Sequence, residues 1–357
     1  MSRSWCIIGC CLWLIACGGD EAAKSDAGGG YFGHIDSGTA GQESDASGDG
    51  AGKDASKDAD TDGGSESPVS RGRYLVHHAA ACVECHTPRD AVGRLDEARA
   101  LSGVECLRDT VPGDDGSGCL HSGNLTNHET GLKNRADGEI KAMFLEGMRP
   151  NGKALHPIMP YWVLANMSEG DADAIVAYLR TVPPIAHMVP PNQAPHDNVA
   201  APMVRWPKED LPRPQPEYVQ KAAAERGRYI AASLGTCIEC HTPRKADGTS
   251  DTARAFRGGL NYQRDELLLP AAFFPPVISS ANLTPHSDGL AGWTVADVVK
   301  ALKDGRDREG NSLCPPMAGG MGAFGGLSQA DAEDIAHYLL SLPPGEGKVV
   351  DECKAPF

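Results

Sequence analysis

The chain has 357 residues with 33 basic and 48 acidic side chains, a formal net charge of -15, and no run that would form a basic face. That balance argues against a nucleic-acid partner, because phosphate binding is carried by clustered Lys and Arg. Length allows two domains plus extra sequence, and 42 glycines and 26 prolines beside only 6% aromatics point to small, loop-rich units.

Met1-Ser-Arg3 is a short basic start, and Cys6 to Ala16 is an apolar run too short for a permanent membrane helix. The run ends Leu14-Ile-Ala-Cys17, which resembles a bacterial lipoprotein signal spanning 1–17 with Cys17 as the lipidated first mature residue. The mature chain is then expected to be exported and lipid-anchored facing the periplasm. Gly18 rather than Asp after Cys17 favours the outer membrane by the same resemblance. Residues 18–68 carry 12 acidic against 3 basic side chains in a Gly/Ser/Asp-rich context. A stretch so poor in apolar residues reads as a disordered, self-repelling tether.

An internal repeat starts at Arg71-Gly-Arg-Tyr74, matched by Arg226-Gly-Arg-Tyr229 at an offset of 155. Asn124-Leu-Thr126 returns as Asn282-Leu-Thr284, and Leu155-His-Pro-Ile-Met159 as Leu313-Cys-Pro-Pro-Met317, both at an offset of 158. Ser168 with Tyr178 returns as Ser328 with Tyr338 at an offset of 160, so one unit of about 120 residues is duplicated in tandem. Each copy reads as three helices. The first leads out of the Gly-Arg-Tyr segment. The middle one runs from about Ala136 to Gly147, or from Thr294 as N-cap to Gly305 as stop. The last begins at Ser168 or Ser328, with Asp171 or Asp331 three residues on approximating a capping box.

Each first helix runs into Cys82-Val-Glu-Cys85-His86 or Cys237-Ile-Glu-Cys240-His241, and both continue Thr-Pro-Arg. Two cysteines with two residues between them and an adjacent histidine have the spacing for covalent attachment of haem c. Each thiol adds to one porphyrin vinyl group, and the histidine is left beneath the ring as proximal iron ligand. A redox dithiol or half a zinc site is the competing reading of one such motif. Two copies inside a longer repeat favour two covalently bound haem c groups, which also supply apolar interior to small domains.

In this order of helix, attachment motif, irregular loop, methionine and final helix, each copy resembles a class I cytochrome c domain. The Asn-Leu-Thr…Gly-Leu tract resembles the haem subunits that accept electrons for periplasmic alcohol and sugar-acid dehydrogenases. The resemblance covers about residues 69–184 and 218–345, and it implies an all-α fold. Gly72 with Tyr178, and Gly227 with Tyr338, are expected at the crossing of first and last helices. Arg135 stands where the second copy has Trp293.

Met159, between prolines, is the expected distal ligand of the first haem. The repeat register selects Met317 over Met321 for the second. A thioether ligand favours ferrous iron. His77, His78, His121, His128 and His156 are the alternatives for a bis-histidine first haem. Four cysteines remain: Cys106, Cys119, Cys314 and Cys353. They allow three pairings. A local Cys106–Cys119 bridge is favoured, leaving Cys314 with Cys353 across the Met317 loop.

A proline-rich linker, 185–217, joins the copies, and a tail, 346–357, follows the second. The apolar insertion Leu267 to Ile278 is expected to roof the second haem, or else to form an apolar docking patch around an exposed haem edge. With two His/Met irons closed to substrate, the expected role is one-electron exchange between a periplasmic dehydrogenase and a downstream carrier or oxidase. The alternative is a di-haem enzyme of peroxidase or thiosulfate dehydrogenase type, with one open iron site.

Overall fold

The computed structural model describes residues 66–90, 93–109, 118–246, 249–264, 274–314, 317, 322–347 and 354–355. The signal segment with Cys17, nearly all of the tether, Met321 and Cys353 lie outside the described residues, as does most of the apolar insertion. Both haem motifs belong to one compact unit, Gly63–Phe357. No helix among the described residues is long and apolar enough to cross a membrane.

The first repeat begins with α1 (Pro68–Tyr74), capped by the Ser67 hydroxyl, which accepts from Ser70 N–H, and started by a proline that has no N–H to lose. The helix widens into a π-helical turn, Leu75–Ala79, before the single turn α2 (Val83–His86). Strands β1 (Val104–Asp109) and β2 (Cys119–Ser122) pair antiparallel, with a register irregularity between Val104 and Arg108. Helix α3 (Asp137–Glu146) stops at Gly147, whose φ of 68° is the left-handed conformation that glycine adopts without strain. A short α4 (Tyr161–Leu164) follows Met159, and α5 (Glu169–Leu179) closes the repeat.

The second repeat runs in the same order. It comprises α6 (Lys221–Tyr229), a π-helical turn Ile230–Leu234, α7 (Cys237–Cys240) and the ribbon β3 (Asn261–Gln263) with β4 (Val277–Ser279). Helix α8 (Val295–Asp304) then leads to β5 (Ser312–Leu313), a 3₁₀ turn Ala323–Gly326 and α9 (Gln329–Leu340). Thr294 and Asp297 make a reciprocal capping box on α8. The tail returns as β6 (Lys354–Ala355), paired with β5.

The chain is therefore not all-α, which the family resemblance had implied: among the described residues three two-stranded antiparallel ribbons are built into it. Each occupies a connection that the helices leave open. Backbone N–H and C=O groups in such connections need partners, and strand pairing is the local way to supply them.

Helices α1 and α5 cross so closely that a Cβ on Gly72 would lie 1.8 Å from the Ala174 carbonyl oxygen and 2.7 Å from Tyr178 Cβ. The α6–α9 crossing repeats this, with Gly227 set 1.8 Å by the same measure from the Asp334 carbonyl oxygen. The linker fills the space between the repeats. Trp206 is buried against Trp162, with ring centroids 5.1 Å apart, and its carbonyl accepts from Asn166. The guanidinium of Arg228, buried in α6, donates to the carbonyls of Lys208, Leu211 and Pro212.

Candidate haem sites

In each motif the two cysteines stand three residues apart on one helical turn, so both thiols lie on the same side of α2 or α7. None of the four, Cys82, Cys85, Cys237 and Cys240, is taken up in a disulfide, so all are available for thioether bonds. The histidine that follows is turned by a backbone acceptor. His86 Nδ1–H donates to the Gly123 carbonyl at 2.8 Å, and His241 Nδ1–H to the Ala281 carbonyl at 2.7 Å. A carbonyl only accepts, so the proton is on Nδ1 and the Nε2 lone pair is left for a metal. Burial pushes both imidazoles toward the neutral form, against the pull of those carbonyl bonds. This donor set fits haem iron.

The Asn-Leu-Thr tracts hold the acceptor carbonyls. Asn124 Oδ1 accepts from Thr126 N–H and its hydroxyl, while Nδ2 donates to the Ile185 carbonyl at 2.9 Å. Asn282 does the same with Thr284 and the Gly345 carbonyl. Each asparagine therefore ties the residue after the histidine's acceptor to the chain beyond the last helix. The sequence signal was the repeated tract itself. What it lacked was the partner, which is 61 residues on in the first repeat and 63 in the second.

The rest of the repeated Glu-Cys-His-Thr-Pro-Arg string is also explained. Thr87 and Thr242 hydroxyls accept from the N–H groups of Leu101 and Phe256. Arg89 pairs with Glu84, and Arg244 with Glu239, bridging each motif turn to the chain that leaves it. Arg244 also lies over the Trp162 ring, 5.9 Å from its centroid, which joins the second motif to the first repeat.

Met159 and Met317 are partly buried and packed against the hydrophobic core. Met159 N–H bonds the His156 carbonyl at 3.1 Å, and Met317 N–H the carbonyl of residue 314 at 2.9 Å, so both loops turn alike before the methionine. The five alternative histidines are engaged elsewhere. His77 meets the Tyr178 hydroxyl, His78 the Ala323 carbonyl, His121 the Cys106 N–H, His128 Thr130, and His156 both Ile158 N–H and His196. Arg135 lends its carbonyl to Arg180, which also holds Asp137 and the Leu132 carbonyl.

Cys106 and Cys119 form a disulfide across the β1–β2 ribbon. Cys314 is disulfide-bonded too, to a residue outside those described. The β5–β6 pairing sets Leu313 opposite Lys354, the residue after Cys353.

No family model matches the chain. It is 28% identical over 296 residues to a nicotinate dehydrogenase subunit of Pseudomonas putida, covering 82% of this chain and 23% of that protein. It is 27% identical over 310 residues to the gluconate 2-dehydrogenase cytochrome c subunit of Pantoea cypripedii, covering 79% of this chain and 61% of the relative. To a diheme cytochrome c-type protein of Cereibacter sphaeroides it is 27% identical, over 78% of this chain and 88% of the other. The chain thus spans less than two thirds of the first two relatives. In its paired Cys-x-x-Cys-His motifs and in these likenesses the chain resembles di-haem c-type cytochromes, which implies two covalently bound haem c groups.

Proposed function

We propose that the chain is an exported electron carrier whose two haems relay single electrons from a dehydrogenase to a downstream carrier or oxidase. The observation that carries this is the duplicated proximal geometry, with both Nε2 atoms free and both Nδ1 atoms tied to backbone. His86 with Met159, and His241 with Met317, are the axial pairs in this reading. Residues 69–184 and 218–345 are the two haem-binding halves. A dehydrogenase as electron donor is supported by relatives named as dehydrogenase subunits.

Held by these residues, each haem would supply outer-sphere electron exchange. The protein keeps water out, fixes the ligands and sets the distance between the two groups. A Cβ on Gly235, two residues before Cys237, would lie 3.2 Å from the Ala79 carbonyl oxygen, three residues before Cys82. The chain segments leading into the two motifs therefore adjoin, and electron exchange within the chain rests on that proximity. Lipidation at Cys17, outer-membrane anchoring, a tether and a Cys314–Cys353 bridge complete the proposal.

A spectroelectrochemical titration tests it. Two low-spin ferric haems, each with the far-red thioether-to-iron band and indifferent to peroxide, are expected. One high-spin haem that turns over peroxide would make the chain an enzyme.

A further inference from the structure

We infer that His78 and Glu84 of the first repeat are positioning residues for the distal ligation of the second haem. The inference rests on the reading of Met317 as ligand. Six residues after Met317, Ala323 is buried, and both of its backbone polar groups are held by side chains of the other repeat. Its N–H donates to Glu84 Oε1 at 2.5 Å, and its carbonyl accepts from His78 Nδ1–H at 3.0 Å. Gly326, at the end of the same turn, lies against the His78 ring, where a Cβ would fall 2.1 Å from Cε1. Two residues later, Ser328 N–H donates to the Tyr74 hydroxyl. The turn Ala323–Gly326 and the helix cap at Ser328 are thus held by the first repeat.

The two repeats differ here in a way that explains the need. Met159 is followed by α4, Tyr161-Trp-Val-Leu164, whose side chains are all buried and hold the segment by their own packing. Met317 is followed by Ala318-Gly-Gly-Met-Gly-Ala-Phe-Gly-Gly326, five glycines in nine residues. Glycine loses the most conformational freedom on ordering and brings no side chain to pack. External hydrogen bonds take the place of that packing.

The His78 and Glu84 contacts are one-sided. Ser233 stands in register with His78 and is too short to reach across. Glu239 stands in register with Glu84, and its buried Oε2, the counterpart of the oxygen that takes Ala323 N–H, has no hydrogen-bond partner among the described residues. The first repeat therefore steadies the second haem's distal segment through His78 and Glu84, whose counterparts make no such bonds among the described residues, while the Tyr74–Ser328 bond is mirrored by Tyr229 and Ser168.

The test uses the full haem-loaded chain. His78→Phe keeps a ring against Gly326 but loses the donor; His78→Asn keeps a donor in the Nδ1 position. Expected for His78→Phe is loss of about half of the far-red thioether-to-iron band, with imidazole binding to the opened ferric haem about tenfold tighter, the scale of one lost hydrogen bond. His78→Asn should retain the band, and in a Met159→Leu background His78→Phe should abolish what remains. A full band in His78→Phe, or loss of the half that Met159→Leu removes, overturns the inference. Should His78→Phe fail to fold, Ala323→Pro deletes the N–H without touching the first repeat and is judged by the same bands. Met317→Leu and Met321→Leu measured alongside separate the two claims. If only Met321→Leu removes the second half-band, the ligand reading falls and the positioning role is still decided by His78→Phe.

Discussion

The Tyr229 hydroxyl donates to Asp171 at 2.6 Å and accepts from Ser168 N–H at 3.0 Å, so a tyrosine of the second repeat closes the N-terminal cap of the first repeat's last helix. Tyr74 returns the contact, donating to Asp331 at 2.5 Å and accepting from Ser328 N–H. In an ordinary capping box the carboxylate reaches back to its own cap N–H, as Asp297 does on α8. At α5 and α9 a hydroxyl from the opposite repeat stands between the two. Helix capping and repeat association are one set of hydrogen bonds.

Tyr74→Phe and Tyr229→Phe should each cost about 1 kcal/mol, since each removes a hydrogen bond to a carboxylate and leaves a cap N–H open. Urea denaturation of the single and double variants measures this. An unchanged midpoint in the double variant would show that the caps do not join the repeats.

The same hydroxyls predict an alkaline limit. Burial first, then the hydrogen bond to the carboxylate, pushes both up to about 12. An unfolded tyrosine ionises near pH ~10, so the native state binds more protons between about 10 and 12. The stabilisation is complete below about pH 10 and falls as the pH rises toward 12. Stability curves against pH should flatten in that window for the double Phe variant.

His77 sets an acid limit of opposite sense. Burial, then His78 and Arg73, lower it to about 4. Between about pH 6.5 and 4 the unfolded chain binds the extra proton, so stability is complete above about 6.5 and declines as pH falls. His77→Gln, which can still bond the Tyr178 hydroxyl, should remove that part of the decline in thermal melts.

Gly72→Ala and Gly227→Ala should each destabilise by about 3 kcal/mol, because the new methyl meets a carbonyl oxygen of rigid backbone and the helices must part. Gly170→Ala, where a Cβ meets nothing within 4 Å, is the control. Equal melting temperatures for all three would refute the close crossing.

Asn282→Ala should cost about 2 kcal/mol by stranding the Gly345 carbonyl and Thr284. It should also shift the midpoint potential of one haem, since the Ala281 carbonyl that orients His241 loses its anchor. A stability loss with both potentials unchanged would reduce the tract to a structural role.

The attachment motifs, the duplication and the helix ends were legible in the sequence because each rests on short-range chemistry. Cys-x-x-Cys-His needs only one helical turn, and Thr294, Ser168 and Gly305 act within four residues of themselves. The all-α expectation failed for a matching reason. Strands of two to six residues carry too little alternation to be read, and β5 finds β6 some forty residues later. Their pairing is chosen by where the helices bring the chain.

What the sequence alone determined is therefore local: the two repeats, their helix caps and the Cys-x-x-Cys-His turn in each. Only the tertiary structure decided which side chains cross between the repeats. Tyr74, His78 and Glu84 lie within eleven residues of one another, yet all three grip a segment some 240 to 260 residues away. Such contacts are fixed by the relative placement of the two helix crossings, which no periodicity or spacing along the chain encodes.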